Sequence, residues 1–397
     1  GALHWQTAFG YSASNSPEHG STRMWASPVV GDMDGDGHME IAVGGDSDST
    51  GSINICVYDD QGELRSGWPR QFGDTEVRSI AAADVDGDGA MEILVNKTGT
   101  GPTTAVYELD GSLHANWPQV STTCNPPSPA EPCWDFGGYN QNIGAGDLDG
   151  DGVMDVISTY DAIGFGVFWG DGRPFPTASE FSDPVVTAVE AYHDIELSQQ
   201  GWGTGDRSEF TYSPPVIADI DADGHMNIVL AGDHEHSQST ANQGITVWVL
   251  DGKLYAFRSD GTVYWAHSFA TLASPYTGAS EATIADLNQD GVPEIIYTTY
   301  SSGEPRDPDT PARLVVLGSN GVQQQSVELF GRGSMAAPTV ADVDGDGDVE
   351  IVVSLKDSLG SGKGGVQIWD VADSGANCLL WPTGRGSYLR EANYVGP

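Results

Sequence analysis

The sequence feature that most constrains the fold is one pattern that occurs six times: a short apolar strand, an acidic loop and a second apolar strand. One such hairpin, as in SPVVGDMDGDGHMEIAVGG at 27–45, cannot bury both of its faces alone, so neighbouring copies must stack on one another. Chance does not produce six copies with the same internal spacing. The first aspartates of the six loops are Asp32, Asp84, Asp147, Asp219, Asp286 and Asp342.

The distance between successive loops indicates what each repeat contains. The first aspartates are spaced by 52, 63, 72, 67 and 56 residues, about the length of a four-stranded antiparallel sheet with its turns. A third strand candidate, such as 53–62, follows each acidic hairpin, and often a fourth that ends at an aromatic residue, such as 64–70. Closing the array into a ring removes its two unprotected ends. We therefore expect an all-β fold, a single β-propeller of four-stranded antiparallel blades.

The repeats predict one domain that spans residues 1–397. Residues 1–27 are predicted to supply an N-terminal strand and closure segment, and 378–386 resembles another outer strand, so either end of the chain could complete the last blade. Seven blades stay open as an alternative, because 182–189 faintly resembles a first strand. Six blades are favoured, with motif-bearing repeats that begin near residues 28, 80, 143, 214, 282 and 338.

Each acidic loop has the composition of a calcium site. The pattern Asp-x-Asp/Asn-x-Asp-Gly-x-x-acid, in which one copy ends in asparagine, places side-chain oxygens at positions 1, 3, 5 and 9 and leaves a backbone carbonyl at position 7. Hard oxygen donors in this number suit Ca²⁺, whereas Mg²⁺ requires tighter octahedral geometry and Zn²⁺ prefers nitrogen and sulfur. The glycine at position 6 lets the backbone turn sharply around an ion.

We predict up to six Ca²⁺ ions, each tying together the two strands of a hairpin. Loops 4 and 5 should bind more weakly, because each has one neutral amide among its ligands. The predicted side-chain ligands are Asp32, Asp34, Asp36 and Glu40 in loop 1; Asp84, Asp86, Asp88 and Glu92 in loop 2; Asp147, Asp149, Asp151 and Asp155 in loop 3; Asp219, Asp221, Asp223 and Asn227 in loop 4; Asp286, Asn288, Asp290 and Glu294 in loop 5; and Asp342, Asp344, Asp346 and Glu350 in loop 6. The position-7 carbonyls belong to His38, Ala90, Val153, His225, Val292 and Asp348.

The net charge of −41, from 57 acidic and 16 basic residues, argues against nucleic acid or an anionic membrane as a partner. No run of about 18 apolar residues exists, so we expect no membrane insertion. Cys124 and Cys133 bracket a proline-rich stretch and read as a disulfide-stapled loop, whereas Cys56 and Cys378 could pair only if the chain closes into a ring. The few lysines, the expected disulfide and the calcium-type loops favour an extracellular, cell-surface or periplasmic location. We expect a monomer.

Sequence motifs of common enzymes are missing: there is no Gly-x-Ser-x-Gly, His-Glu-x-x-His or Cys-x-x-Cys. The one cluster of transition-metal type, Asp-His-Glu-His at 233–236, is interpreted as an exposed polar loop because it supplies only a partial ligand set. The segment SLGSGKGG at 358–365 lacks the spacing of a phosphate-binding loop and is interpreted as a turn. Catalytic residues are therefore not predicted.

The six hairpins resemble the FG-GAP and VCBS repeats of the integrin α-subunit propeller and of bacterial integrin-like surface proteins. The segment DFGGYNQNIGAGDLDGDGVMDVIS at 135–158 carries the resemblance best, because Phe136-Gly137 and the loop that begins at Asp147 both fall where that family has them. The other repeats lack the Phe-Gly pair.

The resemblance implies that calcium is structural on one face and that a protein or glycan partner docks on the other, as in an adhesion module. An alternative is a calcium-dependent lectin or polysaccharide lyase on a propeller scaffold. The docking face would be built from the insertions 121–142, 171–213, 233–245 and 301–312, with Trp134, Tyr139, Tyr192, Trp202 and Tyr212 as candidate contact residues.

Overall fold

The computed structural model describes all six acidic hairpins and the strands around them. It covers residues 1–15, 24, 26–45, 54–71, 76–100, 103–118, 136–137, 142–159, 164–177, 185–186, 207–210, 213–240, 245–269, 277–301, 311–356, 364–375, 379 and 382–384. Every helix or strand assigned within these residues is a β-strand, which confirms the predicted all-β class. These residues contain no candidate membrane-spanning helix.

The first three repeats each form one antiparallel sheet. Sheet 1 contains β1 (Val29–Gly31), β2 (Glu40–Gly44) and β3 (Ile55–Tyr58). Sheet 2 contains β4 (Val77–Ala83), β5 (Glu92–Lys97) and β7 (Thr104–Tyr107), and a separate pair is formed by β6 (Gly99–Thr100) and β8 (Phe136–Gly137). Sheet 3 contains β9 (Ile143–Gly146), β10 (Asp155–Thr159), β11 (Phe165–Phe168) and β12 (Val185–Val186).

The last three repeats also form antiparallel sheets. Sheet 4 contains β13 (Arg207–Glu209), β14 (Val216–Ala218), β15 (Asn227–Thr240), β16 (Ile245–Arg258) and β17 (Val263–Ser268). Sheet 5 contains β18 (Thr277–Ala279), β19 (Thr283–Ala285), β20 (Glu294–Ser301), β21 (Arg313–Leu317) and β22 (Gln323–Glu328). Sheet 6 contains β23 (Thr339–Ala341), β24 (Val349–Leu355) and β25 (Gly365–Val371).

The two strands that flank each acidic loop pair in the same register in all six sheets. In sheet 1, the residue before the first aspartate, Gly31, pairs with the position-9 acid, Glu40. The equivalent pairs are Ala83 with Glu92, Gly146 with Asp155, Ala218 with Asn227, Ala285 with Glu294 and Ala341 with Glu350. The acidic loop is therefore an eight-residue connection closed by a fixed antiparallel pair.

Each sheet packs on the next through a shared apolar core, as the stacking argument requires. One cluster joins sheets 1 and 2, a second joins sheets 2 and 3, a third joins sheets 3, 4 and 5, and a fourth joins sheets 5 and 6. The packing is close where a glycine faces a branched side chain. A Cβ at Gly146 in sheet 3 would lie 2.5 Å from Ile217 Cγ2 in sheet 4. Closure between sheet 6 and sheet 1, and with it the number of blades, stays a prediction.

Tryptophans link successive sheets by hydrogen bonds. They lie in the outer segment of a sheet, which is the part of the repeat after the third strand, such as 64–70 in sheet 1. The indole N–H groups of Trp68, Trp117 and Trp265 each donate to a backbone carbonyl in the next sheet's outer turn, on Leu109, Gly170 and Ser319 at 2.7–2.9 Å. Trp5 makes the same kind of bond to Asp60 in sheet 1. The N-terminal residues therefore contact sheet 1 in the way that the outer segment of a preceding sheet would.

In the part of the chain that the structure describes, the prediction of four strands in every blade is wrong for sheets 1, 2 and 6, which have three strands each, and for sheets 4 and 5, which have five. In sheets 1 and 2 the predicted fourth strands make only isolated bridges, at Leu64, Arg70 and Leu113. These segments contain Gly67 and Pro69 or end in Trp-Pro, and proline cannot donate a ladder hydrogen bond. The outer strands β17 and β22, which lack both residue types, pair from end to end with one register shift each.

Three further expectations are decided by the described residues. Val185 and Val186, in the segment that resembled a first strand, pair with β11 at the outer edge of sheet 3. The segment 233–236 lies within strand β15 and not in a loop, because it continues a long hairpin with β16. Cys56 is a buried free thiol in an apolar cluster with Val43 and Tyr58, so the ring-closing disulfide is absent. Cys124, Cys133 and Cys378 lie outside the described residues.

Candidate metal centres

The six loops share one set of three internal hydrogen bonds. In loop 1 (32–40), Asp32 Oδ2 accepts the Gly37 N–H at 2.9 Å, Asp36 Oδ1 accepts the His38 N–H at 2.8 Å, and Glu40 Oε2 accepts the Met33 N–H at 2.9 Å. The equivalent bonds occur at 2.6–3.2 Å in loop 2 (84–92), loop 3 (147–155), loop 4 (219–227), loop 5 (286–294) and loop 6 (342–350). The same donors and acceptors therefore hold each loop in one conformation.

Two positions of each loop adopt the left-handed backbone conformation. Position 6 is glycine in every copy, as the sequence predicts, and Gly37 has φ of 88°. Position 4 is also left-handed, which the sequence analysis missed, although the glycine at this position in loops 1, 2, 3 and 6 was a usable signal. In loops 4 and 5 this position is held by Ala222 at φ 56° and Gln289 at φ 58°. A non-glycine residue there costs roughly 1–2 kcal/mol.

Acidic side chains converge in five of the six loops. In each of the five, three acids present oxygens that lie within 4.8 Å of one another. In loop 5, where Asn288 replaces an aspartate, no three acids of the described structure meet in this way. The converging sets are Asp32, Asp34 and Asp36; Asp84, Asp86 and Glu92; Asp147, Asp149 and Asp155; Asp219, Asp221 and Asp223; and Asp342, Asp344 and Glu350. Several acidic clusters of this chain can thus bind a metal ion.

The position-9 side chain is buried in every loop. Glu92 is 1% exposed and Asp155 is 2% exposed, next to the other carboxylates of their loops. Burial, reinforced by these like charges, raises the pKa of Glu92 to about 8 and that of Asp155 to about 8. Burial also raises the pKa of Glu40 and of Glu294. Without a cation, these ionised carboxylates are therefore destabilised by their surroundings.

Two loop oxygens are buried and have no hydrogen-bond partner, namely Asp32 Oδ1 and Asp221 Oδ1. A buried carboxylate oxygen without a donor is costly unless a cation satisfies it. All the converging donors are oxygens, and their number suits a hard divalent cation such as Ca²⁺. The residues present therefore fit the predicted ion.

The loops of neighbouring sheets are joined by backbone hydrogen bonds. The Met91 N–H of loop 2 donates to the Met33 carbonyl of loop 1 at 2.8 Å, and the Met154 N–H of loop 3 donates to the Asp84 carbonyl of loop 2 at 3.2 Å. These bonds place loops 1, 2 and 3 side by side at one edge of their stacked sheets. A structural change in one loop therefore reaches the backbone of the next.

Side chains outside the loop pattern also contact predicted ligands. The Arg65 guanidinium forms ion pairs with Asp34 and Glu40 of loop 1, and its hydrogen bond lowers the pKa of Asp34. The sequence analysis missed this contact, because Arg65 lies in the outer segment of the sheet and no spacing rule connects it to the loop. In loop 3, the Trp169 indole N–H donates to Asp149 Oδ2 at 3.1 Å.

The predicted docking face is only partly covered by the structure. The candidate contact residues Trp134, Tyr139, Tyr192, Trp202 and Tyr212 lie outside the described residues. The insertion 171–213 contains β12 and β13, and the insertion 233–245 continues the β15–β16 hairpin.

Comparison with known proteins identifies the repeats. The model of the FG-GAP-like repeat matches residues 32–95 and 219–297, which contain loops 1, 2, 4 and 5. This match confirms the predicted resemblance to FG-GAP-repeat propellers. The chain is also 26% identical over 126 residues to the rhamnogalacturonan endolyase YesW of Bacillus subtilis (strain 168). That match covers 31% of this chain and spans only 20% of the length of YesW.

Two solved structures resemble the chain over most of its length at low identity. The biofilm matrix protein Bap1 of V. cholerae has a TM-score of 0.41 and 14% identity, over 91% of this chain and 79% of Bap1. The Dos1 propeller has a TM-score of 0.42 and 10% identity, over 90% of this chain and 74% of that structure.

Proposed function

We propose that this chain, which carries FG-GAP-like repeats, is a calcium-stabilised, non-catalytic binding module that works outside the cytoplasm. Residues 1–397 form one domain, a closed propeller of six blades in which residues 1–27 take part in closure. Up to six Ca²⁺ ions occupy the acidic loops. A protein or glycan partner binds the face opposite these loops, and the module itself is a monomer.

The observation that carries the proposal is the shared hydrogen-bond frame of the six loops together with their converging carboxylates. The side chains at positions 1, 3, 5 and 9 would hold the ion. Calcium would supply the positive charge that offsets their mutual repulsion, which is on the order of 1 kcal/mol per carboxylate pair even in high dielectric. Position 1 directly follows the first strand of the hairpin and position 9 lies at the start of the second strand. Residues at both positions that hold the same ion would therefore hold the two strands together.

The proposal is tested by a metal count and by melting curves. We expect the purified protein, dialysed against calcium and then against metal-free buffer, to retain several equivalents of calcium. Chelation should lower the melting temperature by many degrees, calcium should restore it, and magnesium should restore it less. An unchanged melting curve after verified removal of all metal would contradict the proposal.

The edge opposite the loops carries a basic and aromatic cluster that favours an acidic ligand. Tyr300 lies near the end of β20, a strand that begins at the loop residue Glu294. The buried Arg332 guanidinium lies 4.6 Å and the ammonium of the exposed Lys356 5.6 Å from the centroid of the Tyr300 ring. Lys356 is therefore the cation of this cluster that a ligand can reach, and Arg332 adds positive charge behind it. An acidic glycan is therefore a suitable class of ligand.

A second candidate function is a calcium-dependent lectin or polysaccharide lyase, which is favoured by the similarity to an endolyase over 126 residues. A lyase needs a basic residue that removes a proton next to a uronate carboxylate. Incubation with acidic polysaccharides at alkaline pH, followed by ultraviolet absorbance of the unsaturated product, tests this alternative. Activity that Lys356→Gln abolishes would favour the lyase, whereas glycan binding without product would favour the binding module.

A further inference from the structure

Loop 1 differs from the other loops because a basic side chain of its own sheet lies against it. Arg65 Nη2 is 2.6 Å from Asp34 Oδ2, and Arg65 Nη1 is 2.6 Å from Glu40 Oε1. Asp34 and Glu40 are the position-3 and position-9 ligands of the loop. Within the described residues, none of the other five loops has an ion pair between its ligand carboxylates and a basic side chain.

Sheets 2 to 5 each have a residue at the position that corresponds to Arg65 in sheet 1. Arg65 directly follows Leu64, which forms an isolated bridge with Tyr58 at the end of the third strand. The Arg65 N–H donates to the Val57 carbonyl. By the same bridges and pairings, the equivalent residues in sheets 2 to 5 are His114, Phe175, Tyr264 and Gln324. His114 turns to Glu108, which is not a loop ligand, with Nδ1 2.7 Å from Glu108 Oε1. Arg65 alone among these five residues carries a permanent positive charge.

We propose that Arg65 is an internal counter-cation that makes loop 1 the weakest calcium site among the loops with four carboxylates. This inference rests on the proposed calcium binding by the loops. Calcium and Arg65 compete for the same oxygens, so the residue sets the affinity of loop 1 and stabilises its hairpin when no metal is bound.

The hydrogen-bond partners of Glu40 show why the competition is strong. Its Oε2 accepts the Met33 N–H and its Oε1 accepts Arg65, so both oxygens of this 1% exposed carboxylate are engaged. Calcium binding at position 9 would have to displace a guanidinium that holds two carboxylates at once through charge-assisted hydrogen bonds. In loop 2, Glu92 accepts the Val85 N–H and pairs with no basic side chain in the described structure. The two loops have the same acids at positions 1, 3, 5 and 9, and of the two only loop 1 has a basic side chain paired with them.

The test compares Arg65→Gln with wild type and with a matched control. Arg313→Gln removes the same charge from an exposed strand residue whose guanidinium bonds the Ser326 hydroxyl, away from the loops. Calcium is titrated by calorimetry and counted by equilibrium dialysis. We expect Arg65→Gln to bind one more ion than wild type at calcium levels that fill loops 2, 3 and 6, with the affinity of loop 1 raised at least about tenfold. Arg313→Gln should match wild type.

Asp36→Asn assigns the additional ion to loop 1. Asp36 belongs to the converging set of that loop but does not contact Arg65. Asp36→Asn should lower the number of bound calcium ions by one in the Arg65→Gln background and should leave that number unchanged in wild type. In chelator, Arg65→Gln should melt below wild type, and in saturating calcium it should melt at or above it. This reversal would not arise from a purely structural ion pair.

A second experiment does not depend on the folding of the Arg65→Gln variant, because it introduces an arginine at the equivalent position of another sheet. Gln324 is the exposed equivalent in sheet 5, and Gln324→Arg should weaken the loop 5 site in calorimetry. Equal ion counts and affinities for wild type and Arg65→Gln, with Asp36→Asn removing one ion from both, would overturn the inference while leaving calcium binding intact. Absence of calcium from every variant would instead overturn the proposed function, and the inference with it.

Discussion

The Trp5 indole N–H donates to the backbone carbonyl of Asp60 at 3.0 Å, so the N-terminal segment is tied to the outer turn of sheet 1 across 55 positions of sequence. The ring also covers Gly62, where an added Cβ would lie 2.6 Å from Trp5 Cδ2. Trp68, Trp117 and Trp265 make the same contact between successive sheets. The N-terminus therefore acts as part of the repeat array.

Trp5→Ala should lower the free energy of unfolding by about 2–4 kcal/mol, because it removes both the hydrogen bond and a large ring from a partly buried position. Leu3→Ala is the control, since Leu3 is 76% exposed and should change stability by less than about 0.5 kcal/mol. Urea denaturation in saturating calcium measures both. Equal stability of the two variants would show that the N-terminal contact does not hold sheet 1.

Glu92 should respond differently to replacement by an amide and by alanine. Glu92→Gln keeps an oxygen for the buried Val85 N–H, as Asn227 does for Ile220 in loop 4. In chelator, Glu92→Gln should equal or exceed wild type in melting temperature, because the amide neither buries a charge nor has to take up a proton on folding, as the carboxyl group does. Glu92→Ala leaves the N–H unsatisfied and should cost about 1–3 kcal/mol in chelator and in calcium.

The same melting experiment in calcium should show a smaller stabilisation of Glu92→Gln by the metal than of wild type. Glu328→Gln, on the exposed strand β22, is the control and should respond to calcium as wild type does. A calcium response of Glu92→Gln equal to that of wild type would mean that position 9 is not a ligand.

Asp151→Ala should destabilise the protein more than Asp223→Ala when calcium is present. Both aspartates occupy position 5, and both accept an N–H from position 7, at 2.8 and 2.9 Å, so the two substitutions remove the same loop hydrogen bond. Loop 3 keeps four carboxylates and loop 4 only three. At calcium 100 times above the dissociation constant, an occupied site contributes about 2.7 kcal/mol. Melting curves should therefore differ in calcium and coincide in chelator; curves that differ equally in both would contradict this ranking of sites.

Ala222→Gly should stabilise the protein by about 1 kcal/mol, because Ala222 holds the left-handed conformation at position 4 of loop 4. Ala90→Gly is the matched control: Ala90, at position 7 of loop 2, is not left-handed, and glycine there should destabilise by about 0.5–1 kcal/mol. Denaturant unfolding of both variants gives the comparison. A loss of stability in Ala222→Gly would show that the loop pattern does not require glycine at this position.

Local sequence patterns predicted the hairpins well, since their determinants lie within nine residues. Gly37 and its equivalents adopt the expected left-handed turn, and acids such as Asp32 and Asp34 come together because the loop is short. The outer strands were predicted less well. Pairing there depends on whether glycine and proline leave a continuous row of donors, as the contrast between 64–70 and Val263–Ser268 shows.

The sequence by itself determined that the chain is a β-repeat array with oxygen-rich turns, because strand periodicity, turn glycines and ligand spacing are properties of short segments. Only the tertiary structure decided which distant residues meet those turns. Arg65 reaches Asp34 across 31 positions and Trp5 reaches Asp60 across 55. Such contacts depend on how segments that are distant in sequence are brought together by the folded sheets, which no pattern within one segment encodes.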